Sequence, residues 1–329
     1  GRGPLPMPWT EQTTALVPLS LMDNDGKPFA GDARNALGMI LDRFAALDLH
    51  PVVGFEMEFY LADPQGGNNG KPDAPASPLT GAKPIRDGAL AIDEVNDHDS
   101  LINEIYAACK LQMIEADTTI SEAGLGQFEI NLVHSHDAMK AADDAAFFKQ
   151  IAKGVARKHG LAASFMAKPY ADRPGNGMHL HISLLDGKGK NVFDDGSDAG
   201  SPILGHALAG ALAGLADSML IFAPHQNSYR RFAIESHAPM AVCWGYENRT
   251  AALRVPLGPP SQRRVEHRVS GADANPYLVL AAILGAILTG LEDQKPPPPP
   301  ITSSSYALDL PTLPSSWDDA INHFTNSTV

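Results

Sequence analysis

Residues 54–61 read GFEMEFYL, an apolar and aromatic run broken by two acids two positions apart. Successive side chains of a strand point to opposite faces, so Glu56 and Glu58 share one face while Phe55, Met57 and Phe59 fill the other. Neighbouring carboxylates repel, and neither tolerates burial unless something positive lies between them. One such segment is ordinarily a half-exposed surface strand. Its repetition along the chain alters that reading.

Three further segments share the pattern. In QFEINL (127–132), Gln127, Glu129 and Asn131 face one way and Phe128, Ile130 and Leu132 the other. In MHLHISL (178–184), His179, His181 and Ser183 lie opposite Met178, Leu180, Ile182 and Leu184. In RVEHR (264–268), Arg264, Glu266 and Arg268 share a face with Val265 behind. Each is apolar on one side with period 2, and carries Glu, His or Arg on the other instead of the Thr, Ser and Lys of a wet face. If the four faces line one cleft, several Glu with one or two His suit hard divalent ions such as Mg²⁺ or Mn²⁺, and the lack of cysteine ligands argues against structural zinc. Arginines there would repel a metal, but they suit a multiply charged anion between ions and guanidinium groups, as in phosphoryl transfer. No G-x-x-x-x-G-K-[ST] segment occurs, so a nucleotide is not held by a P-loop.

The chain has 329 residues, enough for one large or two ordinary domains, with 44% apolar and 19% charged residues. A formal net charge of −13 argues against a nucleic-acid or anionic-membrane partner. Cys109 and Cys243 sit in unrelated contexts, which predicts small core residues and a reducing, cytoplasmic setting. The apolar stretch 277–291 is short for a membrane span and, following Pro276, predicts a buried helix. Helical spacing is also expected at 33–49, 96–109, 137–159 (closed by Gly160) and 202–222, with a strand from Pro51. Residues 63–82 and the KPPPPPITSSS segment (295–305) predict exposed loops. Strands and helices mix without a strict βαβ rhythm, so the class is α+β.

Six motifs, in order, resemble the catalytic domain of glutamine synthetase over most of residues 30–310: GFEMEFYL (54–61), EAGLGQFEINL (122–132), GNGMHLHISL (175–184), NSYRRFAIESHAP (227–239), NRTAALRVP (248–256) and RRVEHRVSGADANPYL (263–278). The resemblance implies an antiparallel curved sheet flanked by helices in residues 31–329, with residues 1–30 the remnant of an N-terminal β-grasp domain. Most of that small domain would then be missing, because of omitted residues or because the sequence is a fragment; a true fragment could not close an intersubunit site. The expected assembly is a dodecamer of two hexameric rings. The implied chemistry activates the γ-carboxylate of glutamate with ATP, giving an acyl phosphate that an amine attacks. Glu58, Glu122 and Glu129 are implied ligands of the metal nearer glutamate, and Glu56, His179 and Glu266 of the metal at the ATP phosphates. Arg231, Arg268 and Gly175 are implied at glutamate, and His181, Ser183, Arg249, Arg254 and Arg264 at the nucleotide phosphates. Arg231, Arg249, Arg254 and the flap residue His237 are the implied catalytic set.

Three departures bear on the amine. His237 stands where glutamine synthetases carry a flap Glu, with Glu235 two positions earlier. Pro174 replaces the Asn of the N-G-x-G-M-H motif, which removes a side-chain contact to glutamate, and the Glu122–Glu129 loop is one residue shorter than in the bacterial enzymes. With MAKPY (166–170) and WGYENRT (244–250), these features look more like the γ-glutamylpolyamine synthetase branch. The alternatives are glutamine synthetase proper, which uses ammonia; a catalytically silent structural or regulatory relative, against which all six ligands and five arginines are retained; and a two-metal phosphatase, which leaves Arg231 and Arg268 unexplained. His237 also reads as an exposed loop histidine. LDLP (308–311) after Tyr306 is similar to the loop carrying a modified tyrosine in some family members; an exposed linker tyrosine is the default.

Overall fold

The computed structural model describes residues 3–67, 72–84, 88–234 and 236–327. The chain begins with a minimal antiparallel ladder, β1 (Leu5–Pro6) with β2 (Ala15–Leu16). Leu5 is buried and Gln112 donates to the Pro6 carbonyl, so this segment lies against the rest of the chain. Helix α1 (Ala33–Ala46) is capped by Asp32, whose carboxylate accepts from the Arg34 amide. The quoted stretch then falls in the middle of β3 (Leu49–Ala62), which starts two residues before the expected Pro51. Between Pro51 and Ala62 only Glu56 and Glu58 escape full burial, so the two acids mark the site-facing side of a central strand.

Next come α2 (Ile92–Asp97) and α3 (Asp99–Leu111), two helices where one was expected, parted at His98. They lead into β4 (Ala116–Ser121) and β5 (Gln127–Leu132). Helix α4 (Ala138–Lys158) is capped by Asp137 and ends before Gly160 at φ 73°. It is followed by β6 (Ala162–Ser164) and β7 (Met178–Asp186). The 202–222 stretch is not one helix. It divides into α5 (Pro202–Ala213) and α6 (Met219–Phe222), because Gly214 takes the C-cap and its carbonyl accepts from Ser218. Then follow β8 (Trp244–Tyr246), β9 (Leu253–Val255), β10 (Val265–His267), α7 (Pro276–Asp293) and α8 (Trp317–Asn326).

One sheet runs β4-β5-β3-β7-β10-β9-β8, with β6 also pairing with β3. Every pair is antiparallel except β8 with β9, so the sheet is mixed at that edge. Its apolar face, including Phe55, Met57 and Phe59, Phe128 and Ile130, and Leu180 and Ile182, packs against Ile105 of α3 and Phe148 and Ile151 of α4. Full burial of each such side chain contributes roughly 1.5–3 kcal/mol. Helix α7 has the length and apolar composition of a membrane span, but here it is a core helix packed on α5, α1 and α4. Its Asn275 cap and Pro276 at the first turn explain where it starts. The proline-rich segment is mostly exposed but pinned: Trp244 Nε1 donates to the Pro298 carbonyl at 2.6 Å. Cys109 and Cys243 are buried and unpaired with each other.

Candidate active site

The opposite face of the sheet gathers the polar residues, and strand register fixes which ones meet. Glu58 stands opposite Glu129 on β5, and Glu56 lies between Asn131 on β5 and His179 on β7. His181 is opposite Glu266 on β10, which is in turn opposite Arg254 on β9. One row of carboxylate, imidazole and guanidinium groups therefore crosses five strands.

The side chains interlock. His179 Nδ1 lies 3.0 Å from one Glu56 oxygen and His181 Nε2 2.8 Å from the other. Arg264 Nε donates to His181 Nδ1 at 3.0 Å, which leaves the ring proton on Nε2, directed at Glu56. Glu266, fully buried, accepts from Arg254 Nε on one oxygen and from Arg268 Nη1 on the other. The buried Arg231 donates from Nη1 to the Val269 carbonyl at 2.7 Å. Gly175 and Gly177 are needed for close approach: a Cβ on Gly177 would lie 2.8 Å from His179 Nε2 and 2.9 Å from Arg231 Nη2, and one on Gly175 2.5 Å from the Ala167 carbonyl.

Two adjoining cavities share Glu56 and Asn131. The first, 430 Å³, is lined by Glu58, Glu122, Glu129, Gly175, His179, Arg231, His237, Arg249, Arg254 and Arg268, among others. The second, 570 Å³, is lined by His181, Ser183 and Arg264, together with His134, His136 and Gln262. The sequence-derived residues thus divide between two chambers, with Glu266 buried beside His179 and His181.

The electrostatics of the first chamber are those of crowded, buried carboxylates. Burial and the Glu58 charge push Glu122 up to about 7. Burial and the charges of Glu56, Glu58 and Glu122 hold Glu129 well above the usual carboxylate range. Burial also acts to raise Glu56 and Glu266, but for Glu56 the hydrogen bonds to His179 and His181 outweigh it and keep the group well below its ordinary value. For Glu266 the Arg268 charge is the chief opposing influence, and the group falls to about 2. A chamber with mutually repelling buried carboxylates fits a divalent cation, which would remove the repulsion. Single ligand atoms of Glu56, His179 and Glu266 lie within 4.8 Å of one another, as do those of Glu58, Glu129 and His179. The second group differs from the expected Glu58–Glu122–Glu129 set: Glu122 lines the same cavity, but His179 is the residue that stands close to both carboxylates.

The glutamine synthetase catalytic-domain model matches residues 30–329. The chain belongs to the glutamine synthetase family. Among family members it is 40% identical over 306 residues to the gamma-glutamylputrescine synthetase PuuA of Escherichia coli (strain K12), covering 93% of this chain and 65% of that one. It is 34% identical to a glutamate–isopropylamine ligase of Pseudomonas sp, covering 98% of this chain and 70% of the relative. A solved GmaS/ADP complex superposes with a TM-score of 0.84 at 30% identity, over 98% of this chain and 74% of that one. The chain therefore spans about two thirds of the length of these family members.

Several residues around these cavities have contacts that the sequence alone does not announce. Glu247, at φ 51°, accepts from Arg254 Nη1 at 2.9 Å and from the Leu257 amide, so it fixes a second side of Arg254. Gln127 donates to the Gly175 carbonyl at 2.9 Å and to Asn176, and Tyr60 donates to the Pro174 carbonyl, which together position the glycine loop. Alternation placed Gln127 on the correct face, whereas nothing local distinguishes Glu247. Pro174 lines the first cavity, and the Asn176 amide donates to the Ser164 and Met166 carbonyls. Tyr306 is not an exposed linker residue: it is half-buried, and its hydroxyl donates to the flap carbonyl of Ala238 at 2.9 Å. Glu235 lies outside the described residues.

Proposed function

We propose that this chain carries the catalytic site of an ATP-dependent ligase that joins an amine larger than ammonia to the γ-carboxylate of glutamate. The observation that carries the reading is the pair of adjoining cavities, one rimmed by Arg231, Arg249, Arg254 and Arg268 and the other by His181, Ser183 and Arg264, on either side of a buried carboxylate–histidine row. Family membership and the two relatives named for alkylamine substrates support it.

In this reading glutamate occupies the first cavity, its carboxylates held by Arg231 and Arg268, while Gly175 allows the backbone to approach. The nucleotide enters through the second cavity, with His181, Ser183, Arg249, Arg254 and Arg264 along its phosphates. Bidentate guanidinium groups suit phosphate oxygens better than lysine would. Glu56, His179 and Glu266 would hold one divalent ion and Glu58, Glu129 and His179, with Glu122 lining the same cavity, a second (Mg²⁺ or Mn²⁺), and these would supply charge neutralisation for the phosphates and the γ-carboxylate. A γ-carboxylate oxygen attacks the terminal phosphorus as the bond to ADP breaks, and the arginines stabilise the charge spread over the transferring group. The amine nitrogen then bonds to the acyl carbon, and phosphate departs with the electron pair of the broken C–O bond. His237, lining the same cavity, takes the proton that the nitrogen sheds. A dodecamer of two hexameric rings in the cytoplasm belongs to the same reading.

The acyl-phosphate route is tested with ¹⁸O in the γ-carboxylate of glutamate: one labelled oxygen should appear in each phosphate released. Unlabelled phosphate alongside amine-dependent ATP consumption would exclude the route. A second expectation concerns the flap. His237→Glu should shift preference toward ammonium about tenfold, since a carboxylate binds a small cation better than an imidazole does. The position has φ 63°, so glutamate also brings backbone strain of about 1 kcal/mol, and His237→Asn is the control that tolerates this conformation. Unchanged amine selectivity in His237→Glu would remove the flap from the account.

A further inference from the structure

The first cavity is lined by four carboxylates and four arginines, yet one strip of its wall is apolar: Ala89, Leu90 and Ile120, with Ala123 beside them. Leu90 is the anomaly. It has φ 65°, a backbone conformation that side chains other than Gly, Asn and Asp rarely adopt, and it is 77% exposed. Neither local conformational preference nor core packing accounts for a leucine there. The segment is nevertheless held in place. The Leu90 amide donates to the Ser121 carbonyl at 2.8 Å, Ser121 Oγ donates to the Gly88 carbonyl at 3.0 Å, and the Ala91 amide closes a turn onto the same carbonyl. Two bonds to the end of β4 thus fix a strained backbone that presents an apolar side chain to a charged chamber. Ser236 and His237 of the flap line the same cavity. Strain maintained by surrounding bonds at the edge of a site is a reason to look for a ligand contact.

We infer that the Ala89–Leu90–Ile120 strip receives the hydrocarbon stem of the acceptor, which makes the acceptor a primary alkylamine. The inference rests on the ligase reading of this cavity and deepens it. Neither the three strip residues nor the adjacent Ala123 carries a charge, so the strip favours methylenes over a bare ammonium ion. Each methylene fully buried against it should lower KM about fourfold.

The test is KM for methylamine, ethylamine, propylamine and butylamine, measured by ADP release with the intact purified protein and its variants Leu90→Asn and Leu90→Gly. Both replacements are at ease at this φ, so neither should unfold the loop. The wild type should show KM falling at each step, and both variants should flatten that gradient to less than about half its slope, with KM for glutamate moving far less. A gradient of equal slope in wild type and variants, or no gradient in the wild type, would overturn the inference while leaving the ligase reading intact. No amine-dependent ADP release with any of the four, nor with ammonium, ethanolamine, putrescine or spermidine, would instead overturn the ligase reading, and the inference with it.

Discussion

Replacing Glu129 by glutamine is expected to lower glutamate-dependent ATP turnover about a thousandfold. The protein should stay folded and, in the absence of divalent ions at neutral pH, become more stable by about 1 kcal/mol. Both effects have one cause. Glu129 is 6% exposed, sits opposite Glu58 on the neighbouring strand, and has its pKa raised by burial and by three other carboxylates. An acid whose folded pKa is raised keeps its proton where the unfolded chain has lost it, so stability falls as pH climbs above the unfolded value of 4.5. Glu122 acts the same way between 4.5 and about 7. His267, buried and pushed down to about 3, acts in the opposite sense below its ordinary 6.5, so a bare curve of melting temperature against pH mixes the two. The rise in melting temperature caused by Mg²⁺ or Mn²⁺ isolates the carboxylates. In the wild type it should grow as pH increases from about 5.5 to about 8, because the ligands must be deprotonated. In Glu129→Gln it should be much smaller. His179→Ala should lose turnover equally, since His179 belongs to both candidate ion-holding groups. Retained turnover in either variant would remove these residues from the ion-holding set.

Arg268→Ala is expected to destabilise the protein by roughly 3 kcal/mol at neutral pH, the cost of leaving a buried charge short of its partner. Glu266 is fully buried and depends on Arg268 and Arg254 for its ionised form. Because the folded pKa of Glu266 lies at about 2, its contribution is fully present above 4.5 and is lost as pH falls toward 2. The difference between variant and wild type should therefore shrink in acid, where a protonated Glu266 no longer needs the guanidinium. Arg268→Lys keeps the charge but not the fork and should lose less. Urea unfolding midpoints at about pH 7 and about pH 4 are the readout. An undiminished midpoint for Arg268→Ala at neutral pH would mean that Arg254 alone carries the buried carboxylate. KM for glutamate should rise in both variants.

The parts of this site that were legible in the sequence were those written in a period of two. Glu56 and Glu58, Glu129, His179 and His181, and Glu266 each announce a face, because the residues between them are core side chains such as Met57, Ile130 and Leu180. What alternation cannot specify is register. That Glu56 meets His179 while Glu58 meets Glu129 depends on pairings between residues more than 70 positions apart in both cases. Residues whose roles come from loops were invisible for a related reason. Glu247 and Leu90 both have positive φ without being glycine, and no residue-type signal marks that conformation for Glu or Leu. The helix break at Gly214 was missed because alanine and leucine on both sides keep the apolar spacing going through it. The parallel pairing of β8 with β9 comes from the excursion through residues 247–252, which the three-residue strands themselves do not encode.

In the proposed reaction a substituted amine, and not ammonia, attacks the acyl phosphate. This is tested most directly by ADP release with ATP, Mg²⁺ and glutamate, comparing ammonium, methylamine, ethanolamine, putrescine and spermidine. A strong response to putrescine or another alkylamine, at least about tenfold above ammonium in kcat/KM, is the expected result. Ammonium as the best acceptor would contradict it and return the chain to ammonia-dependent glutamine synthesis.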